Sequence, residues 1–171
     1  GKFVALDCEM VGVGPDPDAD SQLARVSLVN YHGAVLYDAF VSPVQPVTDY
    51  RTRFSGVTAE LLARFGRPFA AVQADVAALL DGRVLVGHAL RNDLAALMLG
   101  HPKRDLRDTA RLPKFRERAG GRTPKLQKLA WEVLGVEIQG GEHSSVEDAR
   151  AAMLLFRREK AAFEEEVVKR F

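Results

Sequence analysis

The chain has 171 residues, 47% hydrophobic and 27% charged, the composition of an ordinary globular domain able to bury a sizeable core. Its one cysteine, Cys8, excludes an internal disulfide framework and fits a reducing compartment. The net charge is +1, no basic-then-apolar leader opens the chain, and no apolar run approaches the ~18 residues of a membrane span, so no membrane partner is expected.

The first predicted strand is Phe3-Val4-Ala5-Leu6-Asp7-Cys8-Glu9-Met10, four apolar residues running into two acids spaced i, i+2. Side chains alternate along a strand, so Asp7 and Glu9 share one face while Cys8 turns to the other as a small core residue. Two carboxylates at the end of a buried strand repel each other and lose hydration. A cation relieves that cost, and so does a strand end that runs out into solvent; these residues alone leave both open. Gly12 to Asp20 forms a turn-rich loop. Its Asp16, Asp18, Asp20 spacing does not complete a calcium loop, because Ser21 and Ser27 stand where glycine and glutamate are needed.

Leu23 to Val29 and Ala34 to Val41 flank Asn30-Tyr31-His32-Gly33, which predicts a hairpin with His32 as a turn residue. Pro43 and Pro46 end the second strand, and an irregular segment follows through Tyr50-Arg51-Thr52. Helical spacing covers 58–65 and 69–80, the latter with Val72, Val76, Leu79 and Leu80 on one face. Arg83 to Gly87 reads as a short buried strand, and Asn92 to Leu99 as a helix closed by Gly100. Leu106-Arg107-Asp108 is a further short strand, and Lys125 to Leu134 a helix ended by Gly135. Ser144-Ser145-Val146-Glu147 has the capping-box pattern and opens a helix with Ala149, Ala152, Met153 and Phe156 at i, i+3, i+4, i+7. A strand, a hairpin, then alternating helices and strands describe an α/β sheet with an antiparallel member and helices on both faces.

Charge is unevenly placed. Residues 101–128 hold ten Lys/Arg and three acids, so this window carries +7 and the remainder −6. Such a block fits either a polyanion partner or a solvated helix-and-loop face.

Asp93 follows the strand 83–87 at a helix start, Asp148 lies in the first turn of the last long helix, and His143 immediately precedes that helix. Each has an ordinary explanation singly, since first turns favour acids through the helix dipole and loops carry histidines. Together with Asp7 and Glu9 they make four carboxylates around the crevice at the carboxyl ends of strands, where α/β sheets bind ligands. Hard oxygen donors without a Cys/His set favour two Mg²⁺ or Mn²⁺ ions, the arrangement used for in-line phosphodiester hydrolysis. A histidine beside them has the chemistry to take the proton from the attacking water.

Asp7-x-Glu9, Asp93 within Gly-His-x-x-x-x-Asp, and His143-x-x-x-x-Asp148 resemble the three motifs of the DEDDh family of 3′→5′ exonucleases. Further stretches extend the match: Asp7 to Gly12, Tyr50-Arg51-Thr52 with Ser55-Gly56-Val57, Val86-Gly87-His88, Asp108-Thr109, and His143 to Ala149. They resemble the eukaryotic branch that contains the RNA exonuclease 4 group and the interferon-stimulated-gene exonuclease. The resemblance covers essentially the whole chain and implies a ribonuclease H-like fold, a five-stranded mixed β-sheet flanked by helices. Residues 1–171 are read as a single exonuclease domain trimmed from a longer chain.

By position, the resemblance implies that Asp7, Glu9 and Asp148 ligate two divalent ions, that Asp93 completes the site, and that His143 is the general base. Met10 and Arg51 would line the terminal ribose, with Arg51 reading its 2′-hydroxyl. The implied activity is metal-dependent 3′→5′ hydrolysis of single-stranded RNA to nucleoside 5′-monophosphates by a monomer, in rRNA processing, in the nucleus or nucleolus. The 101–128 block would grip the upstream strand through its phosphates. Stacking would add to that grip, with Phe115 one candidate among several. The alternatives are a same-fold exonuclease acting on single-stranded DNA and a non-catalytic nucleic-acid-binding factor in ribosome assembly.

Overall fold

Strand β1 (Phe3–Val13) is the axis of the sheet, because its near-continuous apolar run can be buried against neighbours on both edges. The computed structural model describes all residues, Gly1 to Phe171. On one edge β1 pairs antiparallel with β2 (Ser21–Asn30), which in turn pairs with β3 (Val35–Ser42), the predicted hairpin. On the other edge β1 runs parallel to β6 (Val84–Gly87), and β6 parallel to β7 (Leu106–Asp108). The order β3-β2-β1-β6-β7 is the expected five-stranded mixed sheet. Two short strands extend it: β4 (Val47–Asp49) on the distal part of β1, and β5 (Arg67–Pro68) on β3.

Helices cover both faces. The Leu6 face of β1 packs Val4, Leu6 and Cys8 against α3 (Phe69–Leu80) and α4 (Leu90–Leu97), through Val72, Val76, Leu80, Leu90 and Leu97. The Ala5 face meets α7 (Ser145–Arg158), whose Ala149, Met153 and Phe156 are buried with Ala152 as the spacing requires. Between β4 and α3 stand α1 (Thr52–Ser55) and α2 (Ala59–Phe65). Between β7 and α7 stand α5 (Pro113–Arg118) and α6 (Leu126–Leu129), the latter running into a π-turn over 130–134 that Gly135 closes with φ 67°. Helix α8 (Lys160–Arg170) ends the chain.

Helix α4 departs from its local reading, for a tertiary reason. It begins two residues before Asn92, because the Asp108 carboxylate accepts the N–H groups of Ala89 (2.8 Å) and Leu90 (3.0 Å) from across the β6/β7 junction. It closes at Met98 instead of Gly100. Met98 takes a left-handed φ of 53°, and the Gln73 side-chain amide of α3 donates to the Leu97 carbonyl at 2.9 Å. The first cap comes from a distant residue, and the second is a local left-handed turn that Gln73 supports.

Candidate active site

Along the β6/β4 edge of β1 the parallel pairing ends at Ala5 and the β4 pairing begins only at Gly12. Asp7 and Glu9 lie in this gap. They sit in mid-strand rather than at a strand end, since β1 continues to Val13. Both share the α7 face, as the period of two requires. The gap leaves backbone donors without a strand partner. The Asp93 carboxylate fills that role, accepting the Cys8 N–H through Oδ1 at 3.0 Å. Asp93 is buried in the first turn of α4, so the Asp108 cap on α4 also fixes where Asp93 reaches.

Helix α7 brings the other half. Ser144 is its N-cap, accepting the Glu147 N–H at 3.5 Å, and Asp148 follows in the first turn. Buried Ser145 meets buried Ser27 of β2 hydroxyl to hydroxyl at 2.6 Å, and Ser27 stands directly opposite Asp7. The Ser27 hydroxyl also contacts Asp38, whose carboxylate takes a two-pronged bond from Arg25, the residue opposite Glu9. This chain ties the start of α7 to β2 and β3 at the level of the acids. His143 is held by its own N–H, which donates to the Phe54 carbonyl of α1 at 2.7 Å.

Ligand atoms of Glu9, His143 and Asp148 lie within 4.8 Å of one another, a group able to hold a metal ion. Glu9 and Asp148 are 8% and 4% exposed, and Glu9 Oε1 and Asp148 Oδ1 are buried with no hydrogen-bond partner. Burial pushes Glu9 up to about 8, helped by Asp148 and opposed by Arg25. Burial likewise raises Asp148 to about 6, against the pull of the Gln139 side chain and His143. Asp93 rises to about 7 through burial, opposed by two bonds from Cys8. Asp7 is driven well above the carboxylate range by loss of hydration and by repulsion from Asp93, Asp148 and Glu9. Five predicted residues thus meet in one place, with four acids that a divalent cation would allow to ionise together.

The remaining expectations fall out differently. Met10 is half-buried beside the acids, at the point where the β1/β2 register shifts. The Arg51 guanidinium bonds the Pro17 carbonyl and the Ser21 hydroxyl at 2.8 Å, so in this structure it fastens the 14–20 loop. Phe115 is no stacking platform: it is fully buried against Phe163. The basic block is thinner than its count. Arg107 is buried and paired with Glu164 at 2.8 Å, Lys114 pairs with Glu159, and Arg118 and Lys128 reach Glu132. Lys103, Arg104, Arg111, Arg122 and Lys125 remain exposed with no acidic partner.

Three supporting residues have roles that the sequence did not assign to them. Asp108 caps α4, Ser27 anchors α7, and Cys8 supplies the donors that fix Asp93. His88, in the Gly-His motif, is also structural. Burial lowers its pKa, and the ring sits between the Thr109 hydroxyl (2.8 Å) and the Pro124 carbonyl (2.9 Å).

A mixed sheet with acids on a central strand and on the first turns of helices from both faces defines a nuclease of the ribonuclease H-like class. The profile of the Exonuclease family matches residues 4–156, and the chain belongs to that family. RNA exonuclease 4 of Aspergillus fumigatus is 58% identical over the whole of this chain, which covers 55% of that relative. RNA exonuclease 4 of Saccharomyces cerevisiae is 54% identical over 96% of this chain and 56% of its own length. The chain therefore spans about half the length of these relatives. Among solved structures, the Saccharomyces cerevisiae Pan2 pseudoubiquitin hydrolase-RNA exonuclease module in complex with A7 RNA is similar over 99% of this chain and 31% of its own, at 30% identity and TM-score 0.80. The Neurospora crassa Pan2 catalytic unit shares the fold at 23% identity, with TM-score 0.81 over 99% of this chain and 29% of its own.

Proposed function

We propose that this chain is the catalytic domain of a metal-dependent 3′→5′ exoribonuclease that shortens single-stranded RNA one nucleotide at a time. The observation that carries the reading is the pair of buried, unpartnered oxygens on Glu9 and Asp148 beside His143. A buried carboxylate oxygen without a donor is costly. Two such acids, with Asp7 and Asp93 close enough to repel them, fit hard divalent cations and little else. Asp7, Glu9, Asp93 and Asp148 would hold the ions, with Asp93 giving one oxygen to Cys8. When bound, two divalent cations supply charge stabilisation to the attacking and departing oxygens of an in-line displacement.

The chain's own residues do the rest. His143 accepts a proton from the attacking water as its oxygen bonds to phosphorus, and the 3′-oxygen of the upstream nucleotide leaves with the bonding pair. The terminal nucleotide departs as a 5′-monophosphate. Met10 and Arg51 border the site of its ribose, and release of the Pro17 and Ser21 contacts would free Arg51 for the 2′-hydroxyl. Exposed Lys103, Arg104, Arg111, Arg122 and Lys125 supply phosphate contacts for the upstream strand, salt-dependent and blind to sequence. RNA is favoured as substrate by the relatives' names and by the RNA-bound Pan2 structures. A monomeric enzyme of the nucleus acting in rRNA maturation is the setting that the family resemblance suggests.

The test compares RNA and DNA oligomers of one sequence, labelled at the 5′ end, with Mg²⁺ or Mn²⁺. Stepwise shortening of RNA, blocked by a 3′-phosphate and weakened toward the DNA rate by Arg51→Ala, is expected. Internal fragments, or DNA digested faster than RNA, would contradict the reading.

A further inference from the structure

The free edge of the sheet carries a groove that lies outside the acid cluster. Strand β7 pairs only with β6, and beyond its other edge α4 and α8 wall a cleft of about 640 Å³. That volume is in the ~300–1,000 Å³ range of sites that enclose a ligand. Leu94, Leu99, Leu106 and Val167 line it, each only partly buried, so its floor is aliphatic. Four cations rim it. Arg91, Lys103 and Arg111 are exposed and have no acidic partner, and Arg170 reaches only Glu166, at 3.8 Å. The two acids of the groove are already engaged, Asp108 by the N–H groups of Ala89 and Leu90, and Glu166 by Lys169 at 3.3 Å.

The groove is selective about what fits it. An edge strand ordinarily invites a further strand, but this one is closed, because the Arg107 guanidinium donates to the Arg104 carbonyl at 2.7 Å and to the Leu106 carbonyl at 3.1 Å. Stacked bases need exposed rings. Here Phe163 is buried, the His101 ring is bonded to the Arg83 carbonyl at 2.8 Å, and only Phe171 at the tip of α8 is open. What remains is two helix flanks, an aliphatic floor between them and a cationic rim. An amphipathic helix with an apolar stripe and flanking acids presents the complementary surface.

We propose that this groove docks an acidic amphipathic helix of a partner protein, its apolar stripe on Leu94, Leu99, Leu106 and Val167 and its acids on the four cations. The docked helix lies against α4 without touching Asp93, which is buried beneath it. Lys103 and Arg111 are also among the cations assigned above to the upstream strand, so the partner and a long RNA compete for them. That competition rests on the exoribonuclease reading; the docking does not.

The experiment titrates the chain into a labelled synthetic helix of about 15 residues, with leucines on one helical stripe and glutamates at most other positions, and follows fluorescence anisotropy. A scrambled peptide of the same composition and a 3′-phosphorylated single-stranded RNA, the latter in chelator, are titrated in parallel. The striped peptide should bind, and the scrambled one at least about tenfold more weakly. Ala95→Gln and Val167→Asn make the groove polar without changing its charge. Each should weaken the striped peptide about 5- to 30-fold, the usual worth of an interface position, and leave RNA affinity unchanged. Ala95 is exposed on α4 within the groove, so its variant keeps the fold. The docking site is overturned if neither peptide binds at millimolar concentration, if both bind alike, or if both variants bind the striped peptide as the wild type does. It is equally overturned if the variants weaken RNA by the same factor as the peptide, which makes the groove a track for RNA. In Mg²⁺ the striped peptide should raise KM for a long RNA, and an unchanged KM would overturn the competition. A wild type that hydrolyses no RNA would instead defeat the exoribonuclease reading and leave the docking result standing.

Discussion

Glu9→Gln isolates the cost of assembling carboxylates without a cation. The substitution keeps the shape of a side chain that is 8% exposed and removes only its capacity to ionise. Glu9 is raised from 4.5 to about 8, so between those values the folded protein binds a proton that the unfolded chain releases. Stability must therefore fall as pH rises through this window, the reverse of the usual salt-bridged acid. Linkage puts the destabilisation from Glu9 at about 1 kcal/mol at pH 5 and about 4 kcal/mol at pH 8. Glutamine carries none of it. Any fixed cost of burying its amide is the same at both pH values and cancels. Urea denaturation in chelator should thus show the variant gaining on the wild type by about 3 kcal/mol between pH 5 and pH 8, equivalent to roughly 6–12 °C in Tm for a chain of this size. Relief of Asp7 and Asp148 adds in the same direction. A stability gap that stays constant across this range would refute the reasoning.

Other expectations follow from the same geometry. His143→Ala should slow hydrolysis by about 10²–10⁴-fold in single-turnover assays, with the fold intact by circular dichroism, because the residue is half-exposed and supplies a base. Asp108→Ala removes the acceptor for the Ala89 and Leu90 N–H groups and should cost about 1–2 kcal/mol in urea. Its activity should fall by more than that cost explains, since α4 carries Asp93. Ser27→Ala strands the buried Ser145 hydroxyl and should cost about 1–3 kcal/mol by the same measurement. An unchanged midpoint would show that the link between β2 and α7 adds nothing.

The parts of the fold legible in the sequence were those whose cause is local. Alternation placed Asp7 and Glu9 on one face and Cys8 on the other. The spacing of Val72, Val76 and Leu80, and of Ala149, Met153 and Phe156, marked helices that bury those faces. What was not legible depends on distant partners. The span of α4 is set by Asp108 and Gln73, and the short α1 turn by hydroxyl groups that bond within a segment without periodicity. The candidate site was legible only as a set: Asp7 and Glu9 alternate along β1, Asp93 and Asp148 stand in helix first turns, and His143 precedes α7 in a loop, none of them distinctive singly. Its rim was not. Composition cannot say that Arg107 is spent on Glu164 or Arg51 on the 14–20 loop, nor that Phe54 faces outward while Phe115 is sealed in the core.

The most direct measurement is release of nucleoside 5′-monophosphate from a short single-stranded RNA, followed by chromatography, for wild type and Asp148→Asn with Mg²⁺ and with chelator. Monomer release by the wild type in Mg²⁺ alone, and none from Asp148→Asn in either condition, is the expected result. Release that persists in chelator, or from Asp148→Asn at the wild-type rate, would contradict the assignment of these acids to a metal-dependent exonuclease site.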